Sequence, residues 1–419
     1  MPSWTQGSAL TNPQEEAVEH AEDPTYGEIV WGQFRKRKIG MTSLYALLAL
    51  IALAVFVPIL ASNKPFIWIV AGETSSPWLA SLFDRNFYEN AVDIFFNVLM
   101  VTSPIVVPGI IWRFKSTAGL PGDEKKSKRL IGIFLALGLI LSLFGGVMAF
   151  PSQSEKTVYP RMEQKLLDQG EAVTAVYPLL PYSFRDTNVR ESRLGSSFAH
   201  PLGTDSAGRD VMTRLVFGTR ISLTIGVFAV AIYITIGIVV GAVAGFYGGR
   251  VDSAIQRVIE VVICIPSLFL ILTMAAFIED RSIFHIMFII AIVRWTGPAR
   301  LVRAEFLRLR RLDFVAAAEA AGYGTRHIIF REILPNAIGP VLVSATFGVA
   351  SAILVESTMS FLGLGDITVP SWGQILNSGR TTGVWTLILA PGFAIFLTVS
   401  LLNLVGEGVR DALDPKLRK

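Results

Sequence analysis

Apolar residues in this chain gather into long runs, and most of the charge falls in the stretches between them. A helix needs about 20 predominantly apolar residues to cross the hydrocarbon core of a bilayer. Eight stretches approach that pattern: 42–61, 92–112, 130–150, 219–245, 254–278, 283–298, 338–361 and 386–406. The sixth is the shortest. Pro58, Pro104, Pro108 and Pro266 fall inside these runs, where a membrane helix tolerates them because neighbouring helices satisfy the freed carbonyls. The pattern predicts an all-α polytopic membrane protein, a bundle of about eight transmembrane helices. Its expected divisions are a cytoplasmic tail over 1–41, a first span and a helical pair over 42–150, an external segment over 151–216, and a transmembrane core over 217–419.

Composition agrees. The 419 residues are 52% hydrophobic and 17% charged, and mean hydropathy is +0.53. Soluble domains carry about 25% charged residues, so a water-soluble fold is excluded. The single cysteine, Cys264, forbids an internal disulfide and reads as a small core residue within an apolar run. Met1 to Glu28 is polar and acidic, without the basic-then-apolar order of a cleaved signal peptide. It reads as a partly disordered tail.

The distribution of Lys and Arg predicts orientation. Arg35, Lys36, Arg37 and Lys38 precede the first run, which places the N-terminus in the cytoplasm. Lys125, Lys126, Lys128 and Arg129 follow the second run; Arg300, Arg303, Arg308, Arg310, Arg311, Arg326 and Arg331 follow the sixth; Arg410, Lys416, Arg418 and Lys419 follow the last. Each cluster falls inside after an even number of crossings, so both termini are expected in the cytoplasm of a multi-pass inner-membrane protein. Arg308, Arg310 and Arg311 are expected to face lipid head groups.

No catalytic set is visible. His20, His200, His285 and His327 are scattered without metal-ligand spacing, so no metal site is expected. No GxxxxGK[ST] loop is present to cradle nucleotide phosphates. Glu260 and Glu356 are the main ionisable residues near span positions, and each suits either an interfacial or paired place or a functional one. An ion-coupled carrier would show several buried carboxylates or charged pairs.

The connection 300–337 is the informative one. Ala316 to Ala321 favour helix and let another backbone approach. Gly322 and Gly324 can take positive φ and stop that helix. Thr325 suits an N-cap, and Pro335 ends a second short helix and opens the next span. The segment is either an ordinary basic loop or a helical knob, over 313–335, that docks into a partner at the membrane surface.

This pattern resembles the EAA loop of ABC-importer permeases, an Ala-rich helix, a Gly, and Leu-Pro 12 and 13 residues later, as at Gly322, Leu334 and Pro335. It departs in having Ala316 where Glu is usual, and Glu332 where Ile is usual. His200-Pro201-Leu202-Gly203-Thr204-Asp205-Ser206-Ala207-Gly208-Arg209-Asp210 resembles the segment before the permease core in dipeptide and oligopeptide importers. Arg220-Ile221-Ser222-Leu223, Gly245-Phe246-Tyr247-Gly248-Gly249, Ser360-Phe361-Leu362-Gly363-Leu364-Gly365, Pro370-Ser371-Trp372-Gly373 and Asp411-Ala412-Leu413-Asp414-Pro415 resemble further stretches of those subunits.

The resemblance covers 200–419 and the approach to the first span. It implies a permease subunit for peptide uptake by alternating access, without an enzymatic site or cofactor of its own. ATP and Mg would be bound by two partner ATPase subunits. A second, non-identical permease subunit would complete the pathway, an external binding protein would deliver cargo, and no nucleic acid is expected. Ala316, Ala317, Ala318, Gly322, Thr325, Leu334 and Pro335 would form the ATPase-coupling site. Asp205, Arg209 and Asp210 either contact the binding protein or cap the entry to the next span. Relatives carry nickel chelates, glycosides or opines, so cargo stays open; Asn63-Lys64-Pro65 resembles a subgroup that imports longer or microcin-like peptides. The family implies six spans, so the pair 92–112 and 130–150 is additional, with a packing or partner-contact role.

Overall fold

The first apolar run is a helix that begins earlier than the hydropathy suggests. In the computed structural model, which describes residues 26–117, 120, 122–149, 157–279 and 281–414, α1 (Tyr26–Lys36) leads directly into α2 (Lys38–Leu60). Phe34 is buried with Val405 and Ala412 of the last span, and Arg37 pairs with Asp411 at 3.1 Å. The tail expected over 1–41 is therefore folded from residue 26 onward, because α1 carries an apolar face that the last span covers. Residues 1–25, and Pro415, Lys416, Arg418 and Lys419, lie outside the described residues.

A short α3 (Pro77–Ser81) precedes the additional pair, α4 (Ala91–Ser116) and α5 (Gly122–Ala149). α4 packs on α2 and on the core, whereas α5 packs almost wholly on α4. Leu130, Phe134, Leu135 and Leu141 of α5 are exposed, as lipid-facing side chains would be.

Three short strands depart from the all-helical expectation. β1 (Ile67–Val70) pairs antiparallel with β2 (Glu73–Ser75) and with β3 (Val173–Val176). Ile67, Trp68, Ile69 and Val70 are β-branched or aromatic, as a pleated surface prefers, and Ala71–Gly72 turns the chain with φ of 50° and 83°. The sheet joins the loop after α2 to the segment that holds α6 (Tyr159–Asp168). One lobe is thus built from two loops.

The core begins with α7 (Val211–Tyr247), 37 residues long. The next two runs are broken. α8 (Gly249–Cys264) and α9 (Ser267–Ala276) meet at 79°, and α10 (Ile283–Arg294) and α11 (Thr296–Leu309) at 43°. Pro266 stands at the first break because it offers no N–H to continue the ladder. The sixth run is not short: it continues to Leu309 and takes Arg300, Arg303 and Arg308 into helix. Among the described residues, six helices long and apolar enough to cross a membrane and two bent pairs make up to eight crossings by length and composition. The chain then forms α12 (Asp313–Ala320), α13 (Thr325–His327), a wide π-helical turn over 328–333, α14 (Leu334–Phe361), α15 (Trp372–Thr382) and α16 (Thr386–Leu413).

α7 is the axis of the bundle. Ile221, Ile225 and Ala229 pack with Ile286 and Ile290 of α10 and with Ile353 and Met359 of α14. Further along, Gly237, Gly241 and Gly245 let α11 come close: Cβ atoms there would lie 2.6 Å from Pro298, 2.8 Å from Val302 and 2.5 Å from Phe306. Small residues serve this purpose wherever two membrane helices meet closely. Arg310 does not face head groups; it donates to the carbonyls of Gly245 and Phe246 at 3.0 and 2.8 Å and so caps α7. Cys264 is exposed rather than a core residue, because it stands at the break where α8 leaves the bundle.

Candidate coupling site and the segment ahead of the core

The Ala-rich helix α12 ends in a turn that only a residue tolerant of positive φ can make. Tyr323 N–H donates to Ala318 O at 3.1 Å and Gly322 N–H to Glu319 O at 3.0 Å, with Gly322 at φ 80°. This pair of bonds is the Schellman arrangement, which satisfies carbonyls that a helix end leaves free. The chain then leaves through Gly324 in an extended conformation, φ −72° and ψ 157°. Gly324 is thus the N-cap of the next helix, and Thr325, expected there, is its first residue and makes no capping bond.

The second helix of the knob does not stop at Pro335. Thr325 to Phe361 is one continuous helix of 37 residues. Pro335 cannot donate to the carbonyl four residues back, and the chain meets that loss in the wide turns over 328–333 that precede it. Pro335 stands at the second position of α14, directly after that wide turn. Leu334 is half-buried and Pro335 exposed.

The face of the knob divides its alanines. Ala316 and Ala317 are exposed, as are Ala320, Ala321, Gly322, Gly324 and Thr325. Ala318 is buried with Val315, Phe306, Ile328 and Ile333. It belongs to the inner face, so a partner would meet Ala316 and Ala317 but not Ala318. Leu312, Tyr323 and Phe330 are 41%, 51% and 63% exposed, so these apolar side chains lack cover among the described residues, beside the exposed charges Asp313, Glu319 and Arg326. Tyr323 stacks on His327 with rings 4.2 Å apart, which stiffens the turn.

The segment ahead of α7 is knotted around Asp205. Its Oδ1 accepts from the N–H groups of Ala207 and Arg209 at 2.8 and 3.0 Å, and its Oδ2 accepts from Arg209 Nε at 2.7 Å. Asp210 is the N-cap of α7, accepting from Thr213 N–H at 2.7 Å, and its other oxygen is 2.9 Å from His200 Nδ1. Asp205 and Asp210 are buried, and the Arg209 side chain is 26% exposed. Gly208 sits at φ 70° with the Asn188 carbonyl against it, so a side chain would overlap that oxygen. Asp205 thus closes the turn over 205–209, and Asp210 ties His200 to the start of α7. In the same lobe Lys64 lies over the rings of Tyr159 and Phe87 and donates to Thr157 O at 2.9 Å; burial pushes its ammonium below the ordinary lysine value.

Of the two carboxylates named from the sequence Glu356 is buried and Glu260 exposed, while two arginines, Arg220 and Arg294, escaped the sequence reading. Glu356 accepts from the hydroxyls of Ser360, Ser222 and Ser357 at 2.7, 3.3 and 3.4 Å, deep in the bundle. Glu260 pairs with Arg257 at an exposed site. Arg220 is fully buried and bonded to α2 and to Asp93 of α4. Arg294 stands at the bend between α10 and α11. No signal in a single sequence distinguishes a buried arginine from one of the many at the helix ends.

A family model described as binding-protein-dependent transport system inner membrane component matches residues 237–419. A second, the N-terminal TM domain of oligopeptide transport permease C, matches residues 25–80. The chain is 41% identical over 246 residues to the dipeptide transport system permease protein DppC of Alkalihalophilus pseudofirmus, covering 58% of this chain and 80% of that protein. It is 37% identical over 242 residues to the oligopeptide transport system permease protein OppC of Bacillus subtilis, covering 57% of this chain and 79% of that one. A chain from the inward-facing MetNI methionine ABC transporter aligns over 48% of this chain and 97% of that one, at 18% identity and a TM-score of 0.40.

Proposed function

The chain belongs to the binding-protein-dependent transport system inner membrane components, and from that premise we propose that it is one permease subunit of an ATP-driven importer of dipeptides or oligopeptides. The named relatives act in dipeptide and oligopeptide transport. The single observation that carries the coupling part of this reading is the exposed surface of Ala316, Ala317 and Gly322 beside Leu312, Tyr323 and Phe330. Apolar side chains without cover among the described residues suit a protein that docks there.

In this reading a second permease subunit completes the pathway, two ATPase subunits bind ATP and Mg beneath the pair, and an external binding protein delivers cargo. Both termini and the knob face the cytoplasm. Closure of the ATPase dimer pulls on the knob. Because α13 runs without interruption into α14, that pull is transmitted straight into a transmembrane helix, and the pathway alternates its access.

The test is reconstitution of the assembled importer in proteoliposomes. Accumulation of labelled di- and oligopeptides that needs both ATP and the binding protein is expected. Uptake driven by a proton gradient without the ATPase would overturn the reading. Preference for a nickel chelate or a glycoside over peptides would overturn only its cargo.

A further inference from the structure

The two spans that are broken, α8–α9 at Ile265–Pro266 and α10–α11 at Trp295, break beside the same cavity. It is an open cavity of about 490 Å³, lined also by Tyr233 of α7 and by Ser344, Phe347 and Ser351 of α14. Spacings of three and four place those three residues on one face of α14. Irregular backbone at membrane depth is tolerated where it lines a cavity rather than lipid. Tyr233 reaches this wall across Gly348, where any side chain would overlap its phenol oxygen.

Arg294 ends α10 and lines the cavity. It lies eleven residues from Ile283, about 17 Å along a helix. With a hydrocarbon core about 30 Å thick, that is near mid-depth. An arginine there is costly unless it has a partner. The other arginines of the bundle interior have theirs: Arg220 has Asp93 and two carbonyls, and Arg214 has Phe184 O and Gln374 Oε1. Arg294 has no hydrogen bond or ion pair among the described residues.

The interior carboxylates are spoken for. Asp93 is held by Arg220 and Glu356 by serine hydroxyls. The cavity lining contains no acidic residue. The anion that suits Arg294 therefore comes from outside this chain. We propose, on the reading of the chain as a peptide permease, that Arg294 receives the C-terminal carboxylate of the peptide as it passes the middle of the membrane. A guanidinium fork matches a carboxylate with two parallel bonds. Every linear peptide carries that group whatever its side chains. The remaining polar groups, the hydroxyls of Ser267, Thr296, Ser344 and Ser351, both donate and accept, which suits a peptide backbone of any sequence. With no carboxylate in the wall, the cavity offers an ammonium group no counter-charge, so the assignment is directional.

The test compares a free-acid peptide with its C-terminal amide in the reconstituted importer, each at a concentration that saturates the purified binding protein. Arg294→Gln is expected to lower the uptake ratio of acid to amide by about ten-fold or more, as loss of a charged bidentate partner does. Arg294→Lys keeps the charge without the fork, and an intermediate ratio is expected. It also serves if the glutamine variant assembles poorly. An unchanged ratio in both variants, including equal loss of both peptides as expected if Arg294 pairs with the second permease instead, overturns the assignment while leaving peptide transport standing. A wild-type importer that moves neither peptide overturns both.

Discussion

Arg220 donates from Nε to the carbonyl oxygen of Ala54 at 2.7 Å, and Ala54 is the residue whose helical partner would have been the missing N–H of Pro58. The other arms of the guanidinium reach Val55 O at 3.1 Å and Asp93 Oδ1 at 3.2 Å. A proline in the first span, a charge in the additional pair and a charge in the core thus satisfy one another. Removing one member of a buried ion pair costs about 3–5 kcal/mol, because the other is left unpaired. Arg220→Ala is expected to lower the thermal stability of the purified chain sharply, and Asp93→Ala with Arg220→Ala to recover part of the loss. A double-mutant cycle measured by unfolding in detergent checks this. No coupling between the two positions would mean that α4 is not keyed to the core through this pair.

That relationship also marks where the sequence stops being informative. Ala54, Asp93 and Arg220 are far apart in the chain, and Asp93 sits at the edge of its apolar run, so neither it nor Arg220 stood out as an intramembrane charge. The eight runs were legible because hydropathy is a local property. Their direction is not local: the bends at Pro266 and Trp295 and the cavity beside them appear only once helices are packed. The strand Ile67–Val70 was too short to compete with helical expectation. Gly322 and Asp210 were legible for the opposite reason. A helix end must satisfy its own backbone, and few residue types do so.

Asp205 and Arg209 separate a structural from a docking role. Asp205 is buried and gathers three bonds, whereas the Arg209 side chain is partly exposed and contributes one of them. Asp205→Ala leaves buried backbone donors without acceptors, at about 1–3 kcal/mol for each such group, so it is expected to reduce stability and yield of the assembled complex. Arg209→Ala is expected to do so less. Normal assembly of both variants with failed docking of the binding protein would assign the motif to recognition instead.

The orientation has its own test. Phe198 is fully exposed in the lobe, and Ser127 is exposed near the start of α5. In a Cys264→Ser background, an impermeant thiol reagent applied from outside is expected to label Phe198→Cys and to spare Ser127→Cys. Because Cys264 is itself exposed, the background substitution is required. The reverse labelling would invert the whole topology, including the side on which the knob lies.

The knob yields a prediction that distinguishes neighbours one residue apart. Ala317 is exposed and Ala318 is buried on the same helix. A large residue at Ala317 meets only what docks there, so Ala317→Trp is expected to leave the chain's unfolding temperature unchanged while weakening co-purification of the ATPase. Ala318→Trp must enter the packing of Val315, Phe306 and Ile328, and overpacking of this kind costs about 1–3 kcal/mol. It is expected to lower the unfolding temperature first. Gly322→Val lies between the two. No atom opposes its Cβ, but φ is 80°, a conformation that costs a branched residue about 1–2 kcal/mol. The Schellman turn would distort locally, with membrane insertion intact, ATPase association weakened and uptake lost. Gly322→Asn tolerates that φ better and is expected to retain more uptake. Arg311→Ala, on the exposed approach to the knob, is the neutral comparison. Wild-type uptake by both Ala317→Trp and Gly322→Val would mean that residues 313–327 connect two spans and couple nothing.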